Sequence, residues 1–198
     1  MAQDKKRDSI IEAAQKRFLH FGVDKTTMNE IADDLSISKA SLYYYFPDKL
    51  NLYGAVLQRI IEAEQSSEAA LMKEKNVLKA MHKFLNTRTD SIIKNYNLLE
   101  YLRTIGTNVP PELQTIFNAA RSRELNLITK IIGSGAETKV LKLKDPQKMA
   151  ELLLDCLEGL RIAAFARKTN FFPDKAQFFQ LLVREQEFID IFFKGLST

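Results

Sequence analysis

Tryptophan is absent from this chain of 198 residues, cysteine occurs once and histidine twice. The lone Cys156 excludes an intramolecular disulfide framework and fits a reducing cytosol, so a cytoplasmic protein is expected. It lies among regularly spaced apolar residues and reads as a small core residue. His20 and His82 each stand apart from any Cys or acid cluster at metal-ligand spacing, so no metal site is expected. Glycine (7) and proline (5) are scarce, and neither a Gly-rich phosphate loop nor a nucleophile elbow is found. No catalytic residue, enzyme activity or cofactor is therefore expected. No run of about 18 apolar residues is free of charge, so no membrane span is expected. The opening MAQDKKRDS is charged and leads into an amphipathic run, which argues against a signal peptide.

What remains is 45% hydrophobic and 27% charged, enough to bury a core. β-Branched residues are not grouped into alternating strands, and the expectation is an all-α protein of about nine helices. Net charge is +4, but residues 1–50 hold eight basic and eight acidic side chains and are neutral as a block. Binding of nucleic acid by that block must come from where its charges are placed.

Ile10, Ile11, Ala14, Phe18 and Phe21 recur at helical spacing and predict a first helix from Asp4 to Phe21, with Gly22 after its end. Thr27-Met28-Asn29-Glu30 is a capping box that opens a short second helix with Ile31, Ala32 and Leu35 inward. Ser36-Ile37-Ser38 breaks it, and Ser38 caps a two-turn third helix, Lys39 to Phe46. Pro47 stops that helix, and Asp48 caps a fourth that runs to about Glu68. Two short helices joined by a tight turn form a helix-turn-helix pattern. Leu42 and Phe46, four apart, point inward together. Lys39, Ala40, Tyr43 and Tyr44 are left outside, with Ser41 and Tyr45 at the flanks. Packing against neighbouring helices would account for an arbitrary tyrosine cluster. Behind a capping box and a turn at this spacing, the face suits a DNA major groove: Ala40 admits the backbone, phenols reach phosphates or base edges, and Lys39 can donate to a guanine.

Residues Ser9 to Val56, and in particular IIEAAQKRFLHFGVDKTTMNEIADDL, the turn SIS and KASLYYYFPDKLNLY, resemble the DNA-binding domain of TetR/AcrR-type bacterial transcriptional repressors. The resemblance implies that Thr27, Lys39, Ala40, Ser41, Tyr43, Tyr44, Tyr45 and Lys49 contact double-stranded operator DNA, with Thr27, Tyr45 and Lys49 on phosphates. The chain departs from the family pattern at Ser36, where a glycine is usual, and at Tyr45, often histidine. The expected organisation is a helix-turn-helix domain at 1–47 and a helical ligand-binding and dimerisation domain at 48–198.

Five more helices are expected: one through Val77 to Ile92, one from Leu98 to Ile105, and one from Pro110-Pro111 ended by Gly133-Ser134-Gly135. An eighth opens at Asp145-Pro146, and a ninth runs from Pro173-Asp174 to Gly195. The ninth is apolar around most of its girth and needs cover on two sides, which predicts a homodimer. The resemblance places the last two helices in a four-helix bundle across a two-fold axis, and Leu157, Phe179, Leu182 and Phe193 are the expected interface residues.

The resemblance also implies a pocket for a small apolar or amphipathic ligand among the fifth to eighth helices. Its candidate residues are Arg88, Tyr96, Tyr101, Leu102, Ile105, Phe117 and Phe165; each aromatic is otherwise ordinary core. Arg88 lies on an apolar face and needs a partner: an internal carboxylate such as Glu100, Glu124 or Glu158, a ligand anion, or solvent reached by its long stem. The expected function is a DNA-binding transcriptional regulator, a repressor released by a small molecule. The alternative is a nucleoid-associated protein of the same fold with no effector, which a core without a cavity would favour. A helical enzyme or carrier would need a catalytic cluster.

Overall fold

The computed structural model describes residues 2–64, 68, 70–102, 109–166 and 174–197. Nine helices are assigned among them: α1 Ala2–Phe21, α2 Met28–Asp34, α3 Lys39–Tyr45, α4 Lys49–Ala63, α5 Val77–Lys94, α6 Tyr96–Leu99, α7 Pro111–Glu137, α8 Pro146–Ala166 and α9 Lys175–Leu196. The described residues contain no β-strand, only an isolated bridge between Leu141 and Ser197. No helix is long and apolar enough to cross a membrane among the described residues.

The chain forms two compact units, 1–63 with 95–118, and 64–94 with 119–198. The first therefore extends beyond 1–47, taking in α4 and the chain around α6. Its core joins Ile10, Ala14 and Phe18 of α1 to Ile31 of α2, Leu42 of α3, and Leu52, Tyr53 and Val56 of α4, with Leu98 and Leu113 closing it. Each Ile, Leu, Val or Phe among them contributes roughly 1.5–3 kcal/mol when fully buried. Tyr53 is enclosed: its hydroxyl donates to the Leu98 carbonyl at 3.2 Å, and its ring meets Phe18 and Tyr101 edge-on. Burial, with Tyr101 beside it, pushes the Tyr53 phenol well above its ordinary pKa.

The second unit is built from α5, most of α7, α8 and α9. Its core comprises Val77, Met81 and Leu85, Ile128, Ile131 and Ile132, Leu153, Leu154 and Leu157, and Ile189 and Phe193. Two of the expected interface residues, Leu157 (0% exposed) and Phe193 (3%), are buried in the protomer's own core. Leu182 is half-buried against the same core, and Phe179 stays 51% exposed.

One helix boundary differs from expectation, and another expected helix lies partly outside the described residues. A short helix lies at Tyr96–Leu99 and residues 101–102 are again helical, while the rest of the expected Leu98–Ile105 helix, residues 103–105, falls outside the described residues. The seventh helix does not end at Gly133-Ser134-Gly135 but continues to Glu137. Lys139, at φ +59°, makes the turn instead, and the amides of Val140 and Leu141 both donate to the Gly135 carbonyl at 3.0 and 3.1 Å. Gly135 is a packing residue: a Cβ there would lie 2.7 Å from both Leu141 Cδ1 and Val77 Cγ2.

Candidate nucleic-acid interface

Local signals build the helix-turn-helix. The amide of Glu30 donates to Thr27 Oγ1 at 3.3 Å, and the Thr27 amide donates to Glu30 Oε2 at 2.7 Å, closing the capping box reciprocally. The Thr27 amide and hydroxyl hold the Glu30 carboxyl below the usual range. Arg17 of α1 braces the far end of α2, meeting Asp34 through Nε at 2.5 Å and through a second nitrogen at 2.9 Å. That contact holds the Asp34 carboxyl below its ordinary value. Arg17 also lies 3.3 Å from Glu30. Its partners stand 13 and 17 positions away, beyond the reach of helical spacing, so sequence reading misses the brace.

The turn places Ser36 at φ +50°, the left-handed region where the glycine usual in the family would sit without strain. Ser38 Oγ then accepts from the Ser41 amide at 3.1 Å and starts α3. Leu42 (0% exposed) and Phe46 (3%) face the core, and the Arg7 guanidinium covers the Phe46 ring at 5.2 Å. The opposite face is open. Lys39 and Ala40 are exposed, as are Tyr43 (38%) and Tyr44 (73%). Lys39 Nζ stands 5.8 Å from the Tyr43 ring centroid, a cation–π pair that sets the lysine over the ring. Tyr45 packs edge-on against Tyr44 and is half-buried on the core, and Ser41 is half-buried beside it in α3.

Lys49 has a different environment. Its ammonium donates inward, to the carbonyls of Val23 at 2.9 Å and Thr26 at 3.1 Å, and approaches that of Asp24 at 3.5 Å.

The expected ligand residues divide between the two units. Tyr96, Tyr101, Leu102 and Phe117 belong to the first, the last three packed on its core. Arg88 belongs to the second. Ile105 and the Phe165 side chain lie outside the described residues. Of the three carboxylates proposed for Arg88, the partner is Glu124, with Nε at 3.5 Å. Glu124 also receives Arg161 at 3.1 Å, and Arg161 meets Glu185 at 2.7 Å. Glu158 pairs with Arg121 instead, at 3.0 Å. Burial raises the Glu124 carboxyl, but Arg88 and Arg161 together outweigh it and the group titrates below its ordinary value. Glu185 alone had a legible signal: it stands four after Leu181 and four before Ile189 on the buried line of α9, although its partner Arg161 could not be read from spacing. A cleft of about 390 Å³ in the second unit is lined by Leu71, Met72, Ala80, Ile131, Ser134 and Thr138 among others, and by none of the expected ligand residues. No group of three or more His, Cys, Asp or Glu able to hold a metal occurs among the described residues.

Residues 10–56 match the family described as bacterial regulatory proteins, tetR family. The HTH-type transcriptional regulator YhgD of Bacillus subtilis (strain 168) is 26% identical over 159 residues, covering 78% of this chain and 81% of that protein. A transcriptional regulator from Cytophaga hutchinsonii ATCC 33406 superposes with a TM-score of 0.85 at 30% identity, over 98% of this chain and 99% of that one. A regulator from Saccharomonospora viridis, solved in complex with choline, shares the fold at a TM-score of 0.65 and 17% identity, over 98% and 99% of the two chains.

Proposed function

The chain belongs to the TetR family of bacterial regulatory proteins and is a DNA-binding transcriptional regulator, and we propose that it works as a homodimeric repressor released by a small ligand. The observation that carries the reading is the division of labour within α3: Leu42 and Phe46 anchor one face while Lys39, Ala40, Tyr43 and Tyr44 present the other to solvent. Lys39 and Tyr43 would read base edges, and the N-terminus of α2 at Thr27 would receive a phosphate, since its amides and helix dipole favour an anion.

A dimer is favoured by what α8 and α9 leave uncovered. Leu152 (53%) and Ile162 (69%) on α8, and Phe179 (51%), Val183 (54%) and Ile191 (71%) on α9, are each more than half exposed. Gly159 lies between the α8 pair with nothing within 4 Å of where a Cβ would stand, which leaves room for a close approach. A second copy of the same surface would cover these side chains and set two α3 helices on successive major grooves, about 34–36 Å apart.

The ligand reading draws on the family and on the interior of the second unit. Arg88, Glu124, Arg161 and Glu185 make that interior ionic near α7, α8 and α9. A ligand bound there needs a polar or charged group as well as apolar surface, which favours an amphipathic effector over a purely apolar one. The fold neighbour from S. viridis, solved with choline, has a ligand of that kind.

Selection of bound fragments from the source genome, followed by footprinting, tests the central claim. A protected inverted repeat with half-sites one helical turn apart is expected. Binding with no sequence preference at any salt concentration would overturn the regulator in favour of an architectural protein.

A further inference from the structure

Lys49 opens α4, and the resemblance gives it a phosphate of the operator. Its ammonium carries three N–H donors. Val23 O, Thr26 O and Asp24 O, at 2.9, 3.1 and 3.5 Å, converge on it from one loop. These carbonyls lie 23 to 26 positions away in sequence, so the contact ties the start of α4 to the segment between α1 and α2. Val23 and Thr26 are themselves buried, each 1% exposed. Within the loop, Gly22 takes φ +83°, and Thr26 Oγ1 donates to the Gly22 carbonyl at 2.8 Å. The Thr26 amide donates to the Val23 carbonyl at 3.3 Å. The loop ends at Thr27, the N-cap of α2.

We infer that Lys49 is a positioning residue for DNA binding: its ammonium fixes the 22–27 loop, and through it the Thr27 cap and the amides at the start of α2, instead of itself pairing with a phosphate. The charge is already directed at the carbonyls of two buried residues, Val23 and Thr26, with the Asp24 carbonyl of the exposed side of the loop beside them. Reaching a phosphate would require breaking hydrogen bonds to buried loop residues. The ammonium geometry also matters. Its three donors diverge from one nitrogen and suit three carbonyls around it, whereas the planar fork of arginine suits a bidentate phosphate. The inference rests on the DNA-docking reading above and changes what one of its residues does.

Lys49→Met and Lys49→Arg separate the two roles. A positioning role predicts that both variants bind the operator more weakly, roughly tenfold for the loss of hydrogen bonds from a charged donor. The slope of log affinity against log salt stays at its wild-type value, because the phosphate contact that weakens is made by uncharged groups and no cation has been taken off a phosphate. Amide hydrogen exchange rises at residues 22–27 while α5, α8 and α9 keep their protection. Combining Lys49→Met with Thr27→Ala costs less than the sum of the two, because both act through the same cap. Simple loss of global stability would leave the affinity of the folded fraction unchanged and show no coupling to Thr27. A phosphate ligand predicts the reverse pattern: Lys49→Arg keeps wild-type affinity, and Lys49→Met makes the slope shallower by about 1.8 for one lost contact per protomer of a dimer. That result overturns the inference. Should Lys49→Met fail to fold, Lys49→Arg carries the comparison alone. A wild-type protein that binds no DNA defeats the regulator reading, and the exchange measurement on the loop still decides the positioning role.

Discussion

Arg161 of α8 reaches Glu185 of α9 at 2.7 Å, and Glu185 is only 1% exposed. A carboxylate so placed has surrendered its hydration and depends on the guanidinium for compensation. Glu185→Ala leaves Arg161 with Glu124 as its carboxylate partner at 3.1 Å. The expected cost is about 3 kcal/mol, in the range for breaking one side of a buried pair. Urea unfolding measures it; a change under about 0.5 kcal/mol would show that water reaches the pair freely.

The same cluster sets an acid limit. Glu124 has a folded pKa depressed by Arg88 and Arg161 against the opposing effect of burial. A depressed carboxyl stabilises the fold fully above its unfolded pKa, about 4.3. That stabilisation is lost as pH falls from there toward the lower folded value. Stability measured from pH 7 downward should therefore be flat through pH 6 and drop below about pH 4.5. In Glu124→Gln the part of that drop due to this carboxyl disappears. An unchanged acid limb in the variant would remove Glu124 from the account.

The dimer reading separates two residues that are two apart on α9. Ile191 is 71% exposed and Phe193 is 3% exposed. Ile191→Asp should leave a folded protomer and shift sedimentation from twice 22.7 kDa toward 22.7 kDa. Operator affinity should fall with it, because a single half-site loses the gain from simultaneous engagement. Phe193→Asp should instead unfold the second unit, since it puts a charge among Ile189, Leu157 and Met81. A folded monomer from Phe193→Asp, or a stable dimer from Ile191→Asp, would place the interface elsewhere.

What could be read from the sequence was what lies within four residues. The Thr27–Glu30 box, the Ser38 cap and the inward pair Leu42 and Phe46 are local relations, and helical periodicity alone locates them. Lys49 on the Val23 and Thr26 carbonyls, Arg17 on Asp34 and Arg161 on Glu185 join positions 17 to 26 apart. No spacing rule covers them. The ninth helix failed in a different way. It is apolar around most of its girth, so periodicity says that two sides are covered without saying which side meets its own chain. Phe193 was the expected interface residue, and only packing shows that it is buried in its own chain while Ile191, two positions before it, is exposed. Gly135 looked like a stop because glycine usually ends helices, yet close approach of Val77 and Leu141 makes the same demand for a missing Cβ.

Tyr43 and Tyr44 are expected to differ in effect although they are adjacent. Tyr43 is 38% exposed against 73% for Tyr44 and shares its ring with Lys39; in the docking proposed above it would meet base edges. Tyr43→Ala should change which sequences are preferred, at about 1–3 kcal/mol for the affected base pair. Tyr44→Phe should weaken binding to all sequences alike if its hydroxyl serves a phosphate. Selection of bound sequences from a random pool distinguishes the two. An unaltered preferred site and affinity for Tyr43→Ala would defeat the docking of α3.

Gly133 and Gly135 stand one turn apart at most on α7, and the same substitution should have opposite signs. Helix propensity alone favours alanine over glycine by about 1 kcal/mol at both. At Gly133 a Cβ would find only Pro146 Cβ, at 4.0 Å, so the propensity gain is realised and Gly133→Ala should stabilise. At Gly135 the Cβ would lie 2.7 Å from Val77 Cγ2 and 2.9 Å from Leu141 Cγ. Neither is the free end of a long side chain: Val77 is stiff at χ1, and Leu141 is held by its bridge to Ser197. Overpacking of this kind costs about 1–3 kcal/mol, which exceeds the propensity gain, so Gly135→Ala should destabilise. Thermal unfolding of the two variants beside the wild type measures both signs. If Gly135→Ala raised the melting temperature as much as Gly133→Ala, the turn at Lys139 would have to move easily, and the close packing of Val77 and Leu141 on α7 would not be what keeps glycine there.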